Sequence, residues 1–241
     1  MYKGLYDQFA HWFHDGKGTV LFYSDPHFAD DEMKYLRADY IGDEEQVKRI
    51  NSKIGKYDTL IILGDIGDTE WVKKLRGYKV LIMGNHDAGA SNYKRAIKEV
   101  EHNSDTCPHC GEKVEYDLQT LYYMGDDYAW CPWCRQPVKP KRDVYEDNHL
   151  FDEVYEGALL ISDKILLSHE PINYSYAFNI HGHDHSQWFK SDNMHLNVCA
   201  ELINYTPIPL KSIIESGALK KIPNIHRDTI DKAIARKLKN N

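Results

Sequence analysis

Short apolar runs recur along the chain, and several of them stop abruptly in polar residues. "TVLFYSDPH" predicts a strand ending at Asp25, "TLIILGDIGD" one ending at Gly64-Asp65, and "KVLIMGNHD" one ending at Gly84-Asn85. Further on, "ALLISDKILLSHE" reads as a hairpin that turns at Asp163-Lys164 and stops at His169, "FNIHGHDH" stops at Gly182, and "MHLNVCAEL" adds one more strand. Between the early strands the period changes to that of a helix. Val47, Ile50 and Ile54 define a helix over 44–54 with Asp43 as N-cap, residues 69–76 form a short one stopped by Gly77, and Tyr93, Ile97 and Val100 share a face of a third over 91–101. Leu5, Phe9, Trp12 and Phe13 fit one side of a short N-terminal helix, and Ile230, Ile234 and Leu238 predict an amphipathic C-terminal one. Strand–helix alternation followed by a strand-rich second half predicts an α/β architecture with a mixed sheet or two packed sheets.

Residues 103–148 break this rhythm with four cysteines and four prolines, and are read as an insertion into a domain made of 1–102 and 149–241. "CPHCGEKV" and "CPWCRQPV" space Cys107, Cys110, Cys131 and Cys134 as C-x2-C-x20-C-x2-C, the pattern of a four-cysteine zinc ribbon. CPHC also resembles a thiol-redox motif, but it does not follow a strand at a helix start, and a matching pair follows it. Trp130, Trp133, Tyr122, Tyr123 and Tyr128, with Lys139, Lys141 and Arg142 nearby, suit either the mini-core of such a module or a surface that stacks bases and holds phosphates. Cys199 is left over, and a buried apolar strand position accounts for it.

Composition narrows the class. The 241 residues are 42% hydrophobic and 28% charged, with a net charge of −7, which argues against a generic nucleic-acid coating surface and leaves a local basic groove open. From Ala218 onward, seven Lys/Arg face two Asp, which predicts a helix packed on the domain with its basic face solvated, or one that contacts a partner. The chain shows neither a membrane-length apolar stretch nor the apolar core of a signal peptide, and the cytoplasm is the expected compartment.

The chemistry gathers at the strand ends, where open α/β sheets bind ligands. Asp25 and His27, Asp65 and Asp68, Asn85 with His86 and Asp87, His169, then His183 and His185 all follow apolar runs. Carboxylate, amide and imidazole donors together suit divalent Mn, Fe, Co, Ni or Zn. Gly64, Gly84 and Gly182 each precede a candidate ligand, where the backbone must bend or come close to an ion.

The ordered series D-x-H (Asp25, His27), G-D-x-x-D (Gly64, Asp65, Asp68), G-N-H-D (Gly84 to Asp87), S-H (Ser168, His169) and G-H-x-H (Gly182, His183, His185) resembles that of the calcineurin-like metallophosphoesterases, over residues 19 to about 205 apart from the insertion. The resemblance implies an α/β/β/α sandwich of two mixed sheets and a two-metal site. One ion would take Asp25, His27, Asp65 and His185, and the other Asp65, Asn85, His169 and His183. Asp65 and a solvent hydroxide would bridge the two, and the hydroxide would act as nucleophile. His86 would assist the leaving group or contact the phosphate, with Asp68 fixing its tautomer; Asp68 also suits the N-cap before Thr69, and both roles are compatible. His181 reads as a core histidine and Asp87 as a carboxylate that fixes its loop. Thr69 stands where phosphoprotein phosphatases of the family carry arginine, which argues against a phosphoprotein substrate.

The expected activity is therefore hydrolysis of a phosphomonoester or phosphodiester, possible substrates including nucleotides and nucleic acid, with no membrane partner. Two alternatives stay open. One is processing of nucleic-acid ends with the ribbon as clamp, and the other is a non-catalytic scaffold of the same fold.

Overall fold

The structure is a computed structural model, and it describes residues 4–37, 39–87, 93, 99–101, 104–115, 129–139, 142–144, 150–185 and 191–239. The chain divides into two compact units, one of residues 1–94 and 149–241 and one of residues 95–148.

The first unit opens with a 3-10 segment, Asp7–Gly16, in place of a regular helix; His14 and Asp15 take left-handed backbone angles inside it. Phe9 and Trp12 are buried from it, while Leu5 lies outside it in an isolated bridge to Ser162. Then come β1 (Val20–Tyr23), α1 (Met33–Leu36), α2 (Asp43–Asn51), β2 (Thr59–Ile62), α3 (Thr69–Val72) and β3 (Tyr78–Ile82). The cap of α2 is Gly42 rather than Asp43. The Asp43 carboxylate instead accepts from the Ala29 N–H and the Tyr40 hydroxyl, which pins the loop after β1.

The second unit holds β4 (Glu99–Glu101), β5 (Ser104–Thr106), β6 (Lys113–Glu115), β7 (Ala129–Trp130), β8 (Pro137–Val138) and β9 (Arg142–Val144), paired antiparallel as β4–β9, β5–β6 and β7–β8. Residues 99–101 are thus a strand and not the last turn of a helix, and most of the rest of the helix expected over 91–101 lies outside the described residues.

The first unit resumes with β10 (Glu153–Tyr155), β11 (Leu159–Leu160), β12 (Ile165–Leu167), β13 (Phe178–His181), β14 (His195–Asn197), β15 (Ile208–Pro209), α4 (Leu210–Glu215) and α5 (Ile225–Lys239). Two mixed sheets result. One runs β10-β3-β2-β1-β15, with β15 its antiparallel member; the other runs β11-β12-β13-β14, with β11 antiparallel to β12.

The near-continuous apolar runs of β1 to β3 follow from burial on both faces. Val20, Phe22, Ile61, Leu63, Val80 and Ile82 point into a core shared with Ile165, Leu167, Phe178 and Ile180 of the second sheet. Their alternates Leu21, Tyr23, Leu60, Ile62 and Leu81 pack against Val47, Ile50 and Ile54 of the α2 region and Val72 of α3. At roughly 1.5–3 kcal/mol per fully buried large apolar side chain, these two cores dominate the favourable side of folding. The far face of β13 is polar by contrast: Asn179 is fully buried and donates to the Leu166 carbonyl and to Ser168 Oγ.

Helix α5 forms as its period predicted, but its apolar stripe does not pack down. Ile230 and Ile234 are each 52% exposed and Leu238 73%. Two i,i+4 ion pairs, Arg227–Asp231 and Lys232–Asp228, run along it, and the Tyr176 hydroxyl donates to Asp228 near its start. No helix among the described residues is long and apolar enough to cross a membrane.

Candidate active site

Because β1, β2 and β3 run parallel in one sheet and β12 and β13 parallel in the other, the segments that leave their carboxyl ends meet at one edge of the sandwich. Within the first sheet Ser24 Oγ donates to the Leu63 carbonyl. Two contacts tie the second sheet to it: His169 Nδ1 lies 2.8 Å from that same oxygen, and the His183 N–H donates to Asp25 Oδ2 at 2.9 Å. Gly182 makes this approach possible, since a Cβ there would sit 1.9 Å from Ser24 Oγ and 2.1 Å from Asp25 Oδ2. Gly64, at φ +90°, would collide likewise with the His169 ring and the Gly84 backbone.

Four of the expected ligands, Asp25, His27, Asp65 and His183, have positive φ (55°, 45°, 52° and 68°). Left-handed backbone at residues other than glycine costs on the order of 1–3 kcal/mol each and persists only where the surroundings enforce it. Here the enforcing bonds are visible. Asp87 accepts from the Asp65, Ile66 and Gly84 N–H groups, the loop-fixing role expected of it. The Tyr23 hydroxyl donates to Gln46, which in turn donates to the Pro26 carbonyl between Asp25 and His27.

Two donor groups converge in the space so enclosed. Asp25, His27 and His185 form one, Asp65, His169 and His183 the other, each with its ligand atoms within 4.8 Å of one another. In the first, Asp25 Oδ1 lies 3.4 Å from His185 Nε2 and 4.0 Å from His27 Nε2. In the second, Asn85 Oδ1, His169 Nε2 and His183 Nδ1 stand 2.8, 3.0 and 3.1 Å apart. Ligands bonded at about 2.1 Å to one ion lie roughly 3.0–3.4 Å apart at octahedral or tetrahedral angles. The second group stands close to that spacing, and in the first the Asp25–His185 distance matches it while Asp25–His27, at 4.0 Å, is wider. Asp65 Oδ2 joins them, at 3.7 Å from His27 Nε2 and 3.4 Å from His169 Nε2. Asp25 Oδ1 and His27 Nε2 are buried without a hydrogen-bond partner among the described residues, as donors kept for an ion would be. The residues present therefore fit a pair of divalent ions.

Electrostatics follow the same geometry. Burial alone would raise the pKa of Asp65, but the His169 hydrogen bond and the His86 N–H outweigh it and hold the carboxyl at about 2. Burial would lower that of His169, but Asp65 reverses the effect and carries it to about 9. For His27 burial prevails and the shift is downward.

His86 is exposed beside this pair, its ring centroid 5.8 Å from that of His27 and its N–H on Asp65 Oδ1. Asp68 caps α3 by accepting from the Glu70 N–H, its one hydrogen bond among the described side-chain contacts, so the pairing with His86 is not formed here. His181 is fully buried, with Nδ1 2.8 Å from the Gly182 carbonyl. Cys199 is buried as expected, yet its setting is not simply apolar: its S–H donates to Asp25 Oδ2, and burial pushes its thiol pKa far up.

Sequence reasoning did not single out Glu201 or Arg37. Glu201 Oε1 lies 2.7 Å from His185 Nδ1, and its Oε2 lies 3.3 Å from Arg37 Nε. Arg37 Nη2 donates to the Asp25 carbonyl at 2.8 Å. A carboxylate just beyond the β14 end, beside the β13 end that carries His183 and His185, was the available signal for Glu201. Arg37, in a loop without periodicity, offered none.

In the second unit, the Cys107–Cys110 and Cys131–Cys134 turns repeat one geometry. Gly111 and Arg135, both at positive φ, return their N–H groups to the carbonyls of Cys107 and Cys131, and the Cys107 and Cys131 N–H groups reach forward to the Glu112 and Gln136 carbonyls. Cys107 Sγ lies 3.6 Å from Cys134 Sγ, and Cys110 Sγ 3.6 Å from Cys131 Sγ. All four thiols are free, and tetrahedral Zn–S bonds of about 2.3 Å place sulfurs roughly 3.8 Å apart, whereas a disulfide needs about 2.05 Å. Among the described residues the mini-core consists of Cys107, Val114, Cys131 and Val138, with Cys134 packed against it. Trp130 and Trp133, at 68% and 69% exposure, are not part of it. Tyr122, Tyr123, Tyr128 and Lys141 lie outside the described residues.

A comparison with curated proteins finds no match. Among solved structures, a protein of unknown function, AQ665 from Aquifex aeolicus, is similar over 82% of this chain and 98% of its own, at 21% identity and a TM-score of 0.48. The family model for calcineurin-like phosphoesterase matches residues 18–200, a span that holds both donor groups and His86. With that match over most of its length, the chain belongs to the calcineurin-like phosphoesterases, a family of metal-dependent phosphoester hydrolases.

Proposed function

We propose that the protein is a dinuclear phosphoester hydrolase acting on a phosphomonoester or phosphodiester. The single observation that carries this reading is Asp65 Oδ2, which stands between the two donor groups within 3.7 Å of an imidazole from each. A carboxylate shared in this way suits two ions held close together. Asp25, His27, Asp65 and His185 would hold one, and Asp65, Asn85, His169 and His183 the other. Two divalent ions of the Mn, Fe, Co, Ni or Zn type would neutralise the phosphoryl oxygens and bring the pKa of water near neutrality.

The chain's own residues supply the rest. His86 stands outside both donor groups and exposed, where its imidazole reaches the leaving-group oxygen or a phosphoryl oxygen. Asp68 commits one oxygen to the α3 cap, and its other oxygen is the partner for the His86 ring once substrate is bound. Asp87 and Gln46 keep the loops in place, so that little reorganisation is needed during the reaction.

The four-cysteine module is read as a structural zinc site. Its two exposed tryptophans favour a docking role, but residues 95–148 carry seven Lys/Arg against eleven Asp/Glu, which speaks against a phosphate-backbone clamp. The intact donor set and His86 speak against a scaffold without activity.

The test is a matrix of metals against substrates: p-nitrophenyl phosphate, bis-p-nitrophenyl phosphate and a panel of nucleotides, each with Mn²⁺, Fe²⁺, Co²⁺, Ni²⁺ or Zn²⁺. Turnover with at least one divalent metal, abolished by chelation, is the expected result. Absence of turnover under every condition, in protein shown to bind two ions, would overturn it.

A further inference from the structure

Three imidazoles of the site, those of His27, His169 and His185, have a neighbour at the second nitrogen, and these neighbours differ between the two donor groups. On the Asn85 side, His169 Nδ1 points at a neutral carbonyl, that of Leu63. On the Asp25 side, His185 Nδ1 meets the Glu201 carboxylate at 2.7 Å, and His27 Nδ1 has Asp30 Oδ2 at 3.4 Å. Only Nε2 of His185 then faces Asp25 Oδ1. We propose that Glu201 and Arg37 form a buried positioning pair that sets the His185 tautomer and strengthens the ion site of Asp25, His27 and His185 selectively over the Asn85 site. The inference rests on the two-ion reading above.

The geometry assigns the parts. With its Nδ1 proton given to Glu201 Oε1, His185 presents a lone pair on Nε2, and the negative charge behind the ring makes that lone pair a better donor. Arg37 lies 3.3 Å from His185 Nδ1, which cannot accept from it in this tautomer; the guanidinium instead donates to the Asp25 carbonyl and faces Glu201 Oε2 at 3.3 Å as an ion pair, without a hydrogen bond between them. It thereby holds the carboxylate from its far side and ties it to the loop that carries Asp25. The Arg37 side chain is 2% exposed and that of Glu201 9%, so neither swings freely into water. Arginine suits this place better than lysine, because one planar group spans both oxygens.

The test uses the full-length protein and Mn²⁺ as the probe, read by calorimetric titration, metal analysis and electron paramagnetic resonance, with wild type, Glu201→Ala, Glu201→Gln and Arg37→Met compared. Wild type should take up two Mn²⁺ and show the spectrum of a coupled pair. Glu201→Ala should weaken one of the two binding steps by roughly 10–100-fold, the usual effect of losing such a partner, and leave the other unchanged. At limiting Mn²⁺ its spectrum should be that of an isolated ion. Glu201→Gln, whose amide oxygen still accepts from Nδ1–H, should fall between the two, and Arg37→Met should show a smaller loss at the same step. Two unchanged steps in Glu201→Ala would overturn the inference while leaving the two-ion reading intact. Equal weakening of both steps together with a lowered melting temperature would also overturn it, because that is the signature of a general packing role. Failure of wild type to bind two Mn²⁺ would sink the two-ion reading itself, and the inference with it.

Discussion

Asp65 concentrates several demands in one side chain. Its Oδ1 accepts from the His86 N–H, its Oδ2 faces an imidazole from each donor group, and its own N–H is held by Asp87. Asp65→Asn keeps the shape but removes the charge between the two ions. Metal analysis of that variant should find one ion or none where wild type holds two, with activity lost in parallel; two tightly held ions and normal turnover would sink the bridging role. His86 makes a contrasting case, since its ring belongs to neither donor group. His86→Ala should keep both ions and lose roughly 10²–10⁴ in turnover, the usual range for a positioned proton donor. If the ring delivers a proton, the loss should be smaller for p-nitrophenyl esters, whose leaving group needs none, than for alkyl phosphates. Equal losses across leaving groups would assign the ring to phosphate binding instead.

At the scale of elements, the strands and their polar ends were legible because burial on two faces writes continuous apolar runs, and a ligand can only follow where such a run stops. What was not legible depends on contacts between segments far apart in sequence. Nothing local marks Arg37 as the partner of Glu201, or Asp43 as a clamp on Ala29 instead of a cap. Nor does the spacing of Ile230, Ile234 and Leu238 reveal that the stripe stays exposed. Glu153 of β10 belongs to the same class. Its carboxylate meets His11 Nε2, the Trp12 indole N–H and the Tyr78 and Tyr155 hydroxyls, fastening the N-terminal 3-10 segment to the edge of the first sheet. Burial would raise its pKa, but those hydrogen bonds hold it below the usual carboxylate value. The folded pKa being lower than the unfolded one, about 4.3, the resulting stability is present above that pH and is lost as pH falls through the folded value. Glu153→Gln should therefore cost about 1–3 kcal/mol near neutrality, and its urea midpoint should converge on that of wild type as the pH falls through the lowered folded value. Parallel midpoint curves from pH 3 to 7 would show that the charge of Glu153 contributes nothing to the fastening.

The whole molecule carries two kinds of candidate metal site, and their proposed occupants would be of opposite character. Four thiolates around one ion form a closed structural site, with no position left for substrate. The oxygen and imidazole site must keep solvent positions open for its chemistry. Their responses to chelation should therefore separate. A mild chelator should strip the open pair first and abolish hydrolysis, and added Mn²⁺ should restore it while zinc analysis shows the thiolate ion retained. The thiolate ion would be harder to remove, because the mini-core among the described residues is small, Cys107, Val114, Cys131 and Val138 with Cys134 packed against it, so that losing the metal would unfold the unit. Replacing Cys107 and Cys110 with serine should release that zinc and disorder residues 95–148, read as a gain of protease sensitivity there, while both ions of the other site stay bound. The kinetics of this variant then divide two roles for the unit. If it serves stability alone, hydrolysis of a small chromogenic ester and of a larger substrate should change together; if Trp130 and Trp133 dock the larger substrate, only that activity should fall. Protein purified under reducing conditions with its four cysteines oxidised in pairs and no zinc would overturn the structural-site assignment.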